Sequence, residues 1–352
     1  MSQQRDTDTQ SLQRPDFVVR KEKLYRRLLA GCAALTIAVT LGIILSLSGG
    51  TLTFFREVSI VKFLTGTNWS PLVGTPEYGV LPLVSGTLII VVGSAIVALP
   101  IGLGAAIYLS EYADPRVRSV VKPALEILAG IPTVIYGYFA LVYLTPILDA
   151  PLPIEQVIIP SWLGFSLPII PDSVPVLPEF TLVASEFVFV VPSLGAFNAL
   201  SASITVGIMI IPMVSSISED AMSAVPDSLR EAAYGLGSTK FDVSTSVVVP
   251  AATSGIVSSY VLALSRAIGE TMIVTMAAGQ SPKTPYFPDV LRNFTDSIEA
   301  MTAAIVKIVS AESLGQTATY ESMFAIGLTL FGLTLAMNLV AELVRRRFRE
   351  VY

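Results

Sequence analysis

The chain has 352 residues, of which 53% are hydrophobic and 14% charged, with a mean hydropathy of +0.70 and a net charge of -5. Soluble proteins carry about 25% charge, so this composition belongs in a membrane, and the slight acidic excess spread over loops does not suit nucleic-acid binding. The chain has no histidine, which excludes His-based catalysis and His metal sites, and its single cysteine, Cys32, cannot form an internal disulfide and reads as a small packing residue.

Residues 1–27 form a polar tail holding seven Lys or Arg, and residues 1–23 read as disordered. No convincing signal-peptide cleavage site follows. Residues 28–48 are long enough to cross a bilayer as the first transmembrane helix. The basic cluster Arg20, Lys21, Lys23, Arg26 and Arg27 places the N-terminus in the cytoplasm. Residues 49–82 then lie outside, with an aromatic, turn-rich piece from Phe63 to Pro71 suited to the interface. The second span, 83–110, has no charge. Gly86, Gly93, Gly102 and Gly104 give it small faces for close packing, and Pro100 can kink it. Residues 111–122 read as a cytoplasmic loop carrying Arg116, Arg118 and Lys122. A third span, 124–148, is interrupted at Gly130-Ile-Pro132 and carries Glu126 near its inner end.

Residues 149–194 hold eight prolines, five acidic residues and no Lys or Arg. Proline this dense breaks a regular span, so the stretch reads as an external insertion, with an extra span over 180–194 as the alternative. The fourth span covers 195–218. A polar stretch, 219–245, follows it: helix-compatible residues through Glu231, Ala232 and Ala233, a turn permitted by Gly235 and Gly237, and a second helix from Lys240. Pro250 lies near the start of the fifth span, 247–279, which is too long for one straight crossing. Residues 280–320 return outside, with an amphipathic piece over 297–310. The sixth span covers 322–344, and Arg345, Arg346, Arg347 and Arg349 lie in a basic cytoplasmic tail, 345–352. About six spans with both ends inside make an all-α membrane protein. No Gly-x-x-x-x-Gly-Lys-Ser/Thr loop occurs, so the chain does not hydrolyse ATP by that route.

Glu231-Ala232-Ala233, then three residues, Gly237, nine residues and Val247-Val248-Val249-Pro250 resembles the coupling loop of permease subunits of ATP-binding-cassette (ABC) importers. Val247 and Val249 replace Ile and Leu of that pattern. Glu-Ala-Ala alone is also what an ordinary solvated helix shows; the whole spacing between two spans is specific. The resemblance implies a type I ABC importer permease fold over 83–344, with Glu231, Ala232, Ala233, Gly237 and Pro250 at the ATPase contact.

Arg266 and Glu270 stand four residues apart in the fifth span and are expected on one helix face. Charges there are costly unless paired or facing water. Three readings stand: a self-neutralising salt bridge, an anion contact in which Arg266 offers its planar fork and Glu270 holds it, or a snorkelling pair at the outer interface. Arg266-Ala-Ile-Gly-Glu270-Thr271 resembles the signature of phosphate-specific transport permeases of the PstC type. Residues 63–71, 100–113, 128–137, 211–212 and 218–221 carry further likeness; the proline-rich insertion carries none. The resemblance implies a substrate path through Arg266, Glu270 and Thr271. It also implies a second homologous permease, two ATPase subunits that use the ATP, and an external phosphate-binding protein. The chain itself is then a non-catalytic, multi-pass cell-membrane subunit with no bound cofactor or metal. Sulfate, molybdate or tungstate is the neighbouring substrate reading. An ion-gradient transporter or channel, gated by the charged pair, is a reading from another class, and it leaves the loop spacing unexplained.

Overall fold

The computed structural model describes residues 16–72, 74–149, 194–287, 290–311 and 317–347. Several apolar runs become helices longer than the runs themselves, because flanking polar residues extend them beyond the apolar core of a bilayer. The first is α1 (Asp16–Glu57), 42 residues and about 63 Å at 1.5 Å per residue. Residues 16–23 and 49–57, expected as tail and outer segment, are therefore helical. Cys32 is exposed on α1 and is not a packing residue.

After α1 come α2 (Ile60–Thr65) and a two-stranded ribbon of β1 (Trp69–Ser70) and β2 (Glu77–Tyr78), antiparallel with Trp69 opposite Tyr78. α3 (Leu81–Ile107) continues into a π-helical turn, Tyr108–Tyr112. The expected loop over 111–122 is mostly helix. α4 (Pro115–Ala129) starts at Pro115, where the missing N–H costs nothing. Its chain then turns by 87° into α5 (Thr133–Phe139), a π turn at Ala140–Leu144 and α6 (Thr145–Asp149). Pro132 disfavours a helical residue before it, so the third span is two helices at a right angle and not one straight crossing.

α7 (Ala199–Ser223) is capped by Asn198, whose side chain accepts from the Ser201 N–H at 2.7 Å, and runs five residues beyond the expected end of the fourth span. Then come α8 (Asp227–Gly235), α9 (Lys240–Val243), a π turn at Ser244–Val248, α10 (Val249–Ala251) and α11 (Thr253–Ile268). The run Lys240–Ala251 meets Thr253–Ile268 at 70°. A π turn at Val274–Ala278 follows, then α12 (Arg292–Thr295), α13 (Met301–Ser310) and α14 (Ala318–Arg347). Four described helices are long and apolar enough to cross a membrane, and the number is six when each of the two bent pairs is taken as one broken span.

α3 and α7 pack most extensively. Their approach is set by missing side chains: a Cβ on Gly93 would lie 2.6 Å from the Ser203 hydroxyl, and one on Gly102 2.6 Å from a Val214 methyl. Small residues at such crossings let backbones pack where lipid supplies no hydrophobic drive. Gly104, expected on the same small face, meets nothing within 4 Å. The core falls into three layers. A middle layer contains Ile90, Met209, Ile210, Ile268 and Ile273. One end holds Phe54, Phe63, Trp69, Leu83, Met301 and Ile326. The other holds Ala106, Met222, Val243, Val248 and Ile256. Phe54 near the end of α1 and Ile326 near the start of α14 share a layer, so these helices run antiparallel. The start of α1 and the end of α14 thus lie toward the end of the bundle that holds α8 and α9.

Residues 150–193, which hold nearly all of the proline-rich insertion, lie outside the described residues. Their flanks meet: the Leu194 N–H donates to the Asp149 carboxylate at 2.7 Å.

Candidate functional site

The sequence-marked residues occupy two places. The first is the hairpin of α8 and α9 at one end of the bundle. α8 closes in a Schellman motif: the Gly237 N–H donates to Tyr234 O at 2.9 Å and the Ser238 N–H to Ala233 O at 3.2 Å, with Gly237 at φ +87°. Gly237 makes the turn; Gly235, expected to share it, is the last residue of α8 with no positive φ. Thr239 and Asp242 start α9 with a capping box, in which the Asp242 N–H donates to the Thr239 hydroxyl at 3.3 Å and the Thr239 N–H donates back to the carboxylate at 3.2 Å. The Thr239 hydroxyl and N–H hold the Asp242 carboxyl below the usual carboxylate range.

Glu231 and Ala232 are exposed on α8, while Ala233 leans on the layer of Met222 and Val243. Leu236 is 89% and Phe241 66% exposed, so the hairpin presents apolar side chains outward. Pro250 is exposed within α10. It has no N–H to donate, and the helix widens just before it into the π turn, where the Val249 N–H reaches Ser244 O.

Charged side chains tie this end together, and no local pattern matches them, because their partners lie about a hundred residues apart. The Glu219 carboxylate is fully buried in the last turns of α7. It accepts from Arg118, from Lys122 at 2.7 Å and from the Ser223 hydroxyl at 2.9 Å. A buried carboxylate with this many donors is a satisfied one. Arg230 donates to Met222 O at 2.8 Å, to Val225 O at 2.6 Å and to the Glu111 carboxylate at 3.1 Å.

The second place is a break in the fifth span. α11 stops at Ile268, so Arg266 and Glu270 do not share a helix face as the four-residue spacing led one to expect. Among the described residues they form no ion pair. Glu270 instead accepts from the N–H groups of Met272 and Ile273 at 3.0 and 3.2 Å, capping the helical turn that resumes after the break. Its own carbonyl accepts from the buried Thr302 hydroxyl at 2.8 Å. The Thr271 hydroxyl donates to Gly269 O at 3.2 Å.

Arg266 sits in the last turn of α11, where a cation suits the helix dipole. It is half-buried, makes no hydrogen bond or ion pair among the described residues, and interacts electrostatically with Tyr136 of α5. Next to it, Ser265 and Asn338 of α14 bond side chain to side chain at 2.8 Å. The break therefore leaves a guanidinium with donors to spare within a span. Such a fork can take two oxygens of a tetrahedral oxyanion. Tyr136 lies in the stretch 128–137 that carries family likeness, but nothing in that stretch links it to Arg266, 130 positions away.

Residues 98–350 match the family described as binding-protein-dependent transport system inner membrane component. The chain is similar to the probable ABC transporter permease protein YqgH of Bacillus subtilis, at 29% identity over 92% of this chain and 90% of that protein. It is 31% identical to the phosphate transport system permease protein PstC of Mesorhizobium japonicum, over 90% of this chain and 87% of that one. PstC of Haemophilus influenzae is also 31% identical, over 94% of each chain. Among solved structures, a bacterial ABC transporter involved in import of the acidic polysaccharide alginate aligns with a TM-score of 0.58 at 15% identity. That alignment covers 95% of this chain and 99% of that one; the likeness is one of fold, that of type I ABC importer permeases.

Proposed function

The chain belongs to the binding-protein-dependent transport system inner membrane component family, among its PstC-type permeases, and from that premise we propose that it carries inorganic phosphate across the cell membrane. It does so as the non-catalytic permease subunit of an ABC importer. It pairs with a second, homologous permease to enclose the path. Two ATPase subunits dock on the α8–α9 hairpin and use the ATP, so this chain binds no cofactor of its own. An external binding protein delivers the anion to the opposite end. Both termini and the hairpin face the cytoplasm, and 149–194 faces outward.

The observation that carries the substrate reading is Arg266. A half-buried guanidinium with no partner among the described residues, at the break of a span, is retained at a cost and needs an anion or water to offset it. ATP-driven closure of the ATPases, passed through the hairpin, alternates the access of Arg266 between the two sides.

Uptake of labelled phosphate by the reconstituted complex, normalised to assembled complex, tests this. Arg266→Lys is expected to assemble and to transport poorly, because a point charge does not reproduce the two-pronged contact. Wild-type uptake in that variant removes Arg266 from the path. Competition by sulfate or molybdate as strong as by unlabelled phosphate assigns the permease to another oxyanion.

A further inference from the structure

Both arms of the α8–α9 hairpin grip the same short segment of another span. Arg230, on α8 next to Glu231, donates to the Glu111 carboxylate at 3.1 Å. Lys240, which opens α9, lies over the Tyr112 ring at 5.1 Å from its centre. Glu111 and Tyr112 are the last two residues of the π turn that ends α3, where the Ala113 N–H donates five residues back to Tyr108 O at 2.8 Å. The Arg230–Glu111 contact is sheltered, with the side chains 15% and 5% exposed. The same guanidinium also bonds Met222 O and Val225 O, around the end of α7. The hairpin is thus fixed to α3 and to α7, the two helices that pack most extensively in the bundle. A π turn is a local irregularity in a helix, and such turns are frequent at functional sites.

We infer that Arg230, clamped on Glu111 with Lys240 on Tyr112 beside it, is the positioning residue through which movement of the ATPase-docking hairpin reaches α3 and so the transport path. This deepens the reading of the chain as an ABC importer permease and rests on it. Arg230 touches neither the anion nor ATP in this role. It converts a displacement of α8 into a displacement of the end of α3, because a sheltered, charge-assisted bond transmits force that an exposed one, screened by water, does not.

The test uses the full complex, with both permeases, the ATPases and the binding protein, reconstituted in vesicles. Phosphate uptake and ATP hydrolysis are measured on the same preparation. Arg230→Ala and Glu111→Ala are each expected to lower the anion moved per ATP by about ten-fold, the size of an ordinary coupling between sites, while ATP hydrolysis persists. The double variant is expected to be no worse than either single one, since each removes the same contact. Glu111→Gln, which keeps shape and an acceptor, carries the same test if an alanine variant fails to assemble. A purely structural clamp lowers the yield or thermal stability of the complex and leaves the anion moved per ATP unchanged in what assembles. That result overturns the inference, as does a double variant whose loss is the product of the single losses. A wild-type complex that hydrolyses ATP yet moves none of phosphate, sulfate or molybdate overturns the transport reading, and the inference with it.

Discussion

The Glu270 carboxylate lies 3.0 Å from the Met272 N–H, and it is this bond, not Arg266, that holds the side chain in place. It fixes the start of the helical turn beyond the break at Gly269. Removing an N-terminal cap costs about 0.5–2 kcal/mol. Glu270→Gln keeps an oxygen to accept that N–H and is expected to assemble normally, whereas Glu270→Leu lowers the thermal stability of the purified complex by a few degrees. Equal stability of the two variants sinks the capping role. The joint replacement Arg266→Leu with Glu270→Leu is expected to leave transport abolished, because the two charges do not neutralise each other here; recovered phosphate uptake in that double variant would show that they do.

Gly237 adopts φ +87° to close α8. A left-handed residue with a side chain costs about 1–2 kcal/mol, and a β-branched one suits it least. Gly237→Val is expected to reshape the hairpin, lower the amount of ATPase that copurifies, and weaken substrate-stimulated ATP hydrolysis. Gly237→Asn, which tolerates this backbone region, retains more of both. Full coupling in the valine variant counts against the hairpin as the docking element.

Gly93 and Gly104 look alike in sequence and differ in surroundings. A side chain at Gly93 meets Ser203 and Phe294 within 2.8 Å, while one at Gly104 meets nothing within 4 Å. Overpacking of this kind costs about 1–3 kcal/mol. Gly93→Val is expected to lower the melting temperature of the solubilised subunit, and Gly104→Ala to leave it unchanged. The opposite order would contradict the packing of α3 on α7.

Orientation is tested at two exposed positions of opposite ends. In a Cys32→Ala background, Phe287→Cys is expected to react with an impermeant thiol reagent added to intact cells, and Leu236→Cys only after the membrane is opened. Both native side chains are exposed, at 86% and 89%, so burial within this chain does not mask either. Labelling of position 236 from outside inverts the topology.

The class of protein and most of its helices are legible from the chain order of residues, because apolar runs and basic flanks need no knowledge of neighbours. The sequence also marked the hairpin, where Gly237 and the Thr239–Asp242 cap act within a few residues of chain. The ends of helices escaped it: polar residues such as Glu219 and Asp220 look like loop, yet Arg118 and Lys122 keep that turn of α7 helical by satisfying a buried carboxylate. What the charges do follows from packing between distant segments. A four-residue spacing promised Arg266 and Glu270 on one face. Backbone N–H groups freed at the break took the carboxylate instead, since an unsatisfied buried donor costs more than an ion pair returns. Arg230 and Glu111, 119 positions apart, meet only once α3 and α7 have packed, and no local pattern announces a contact that chain folding creates.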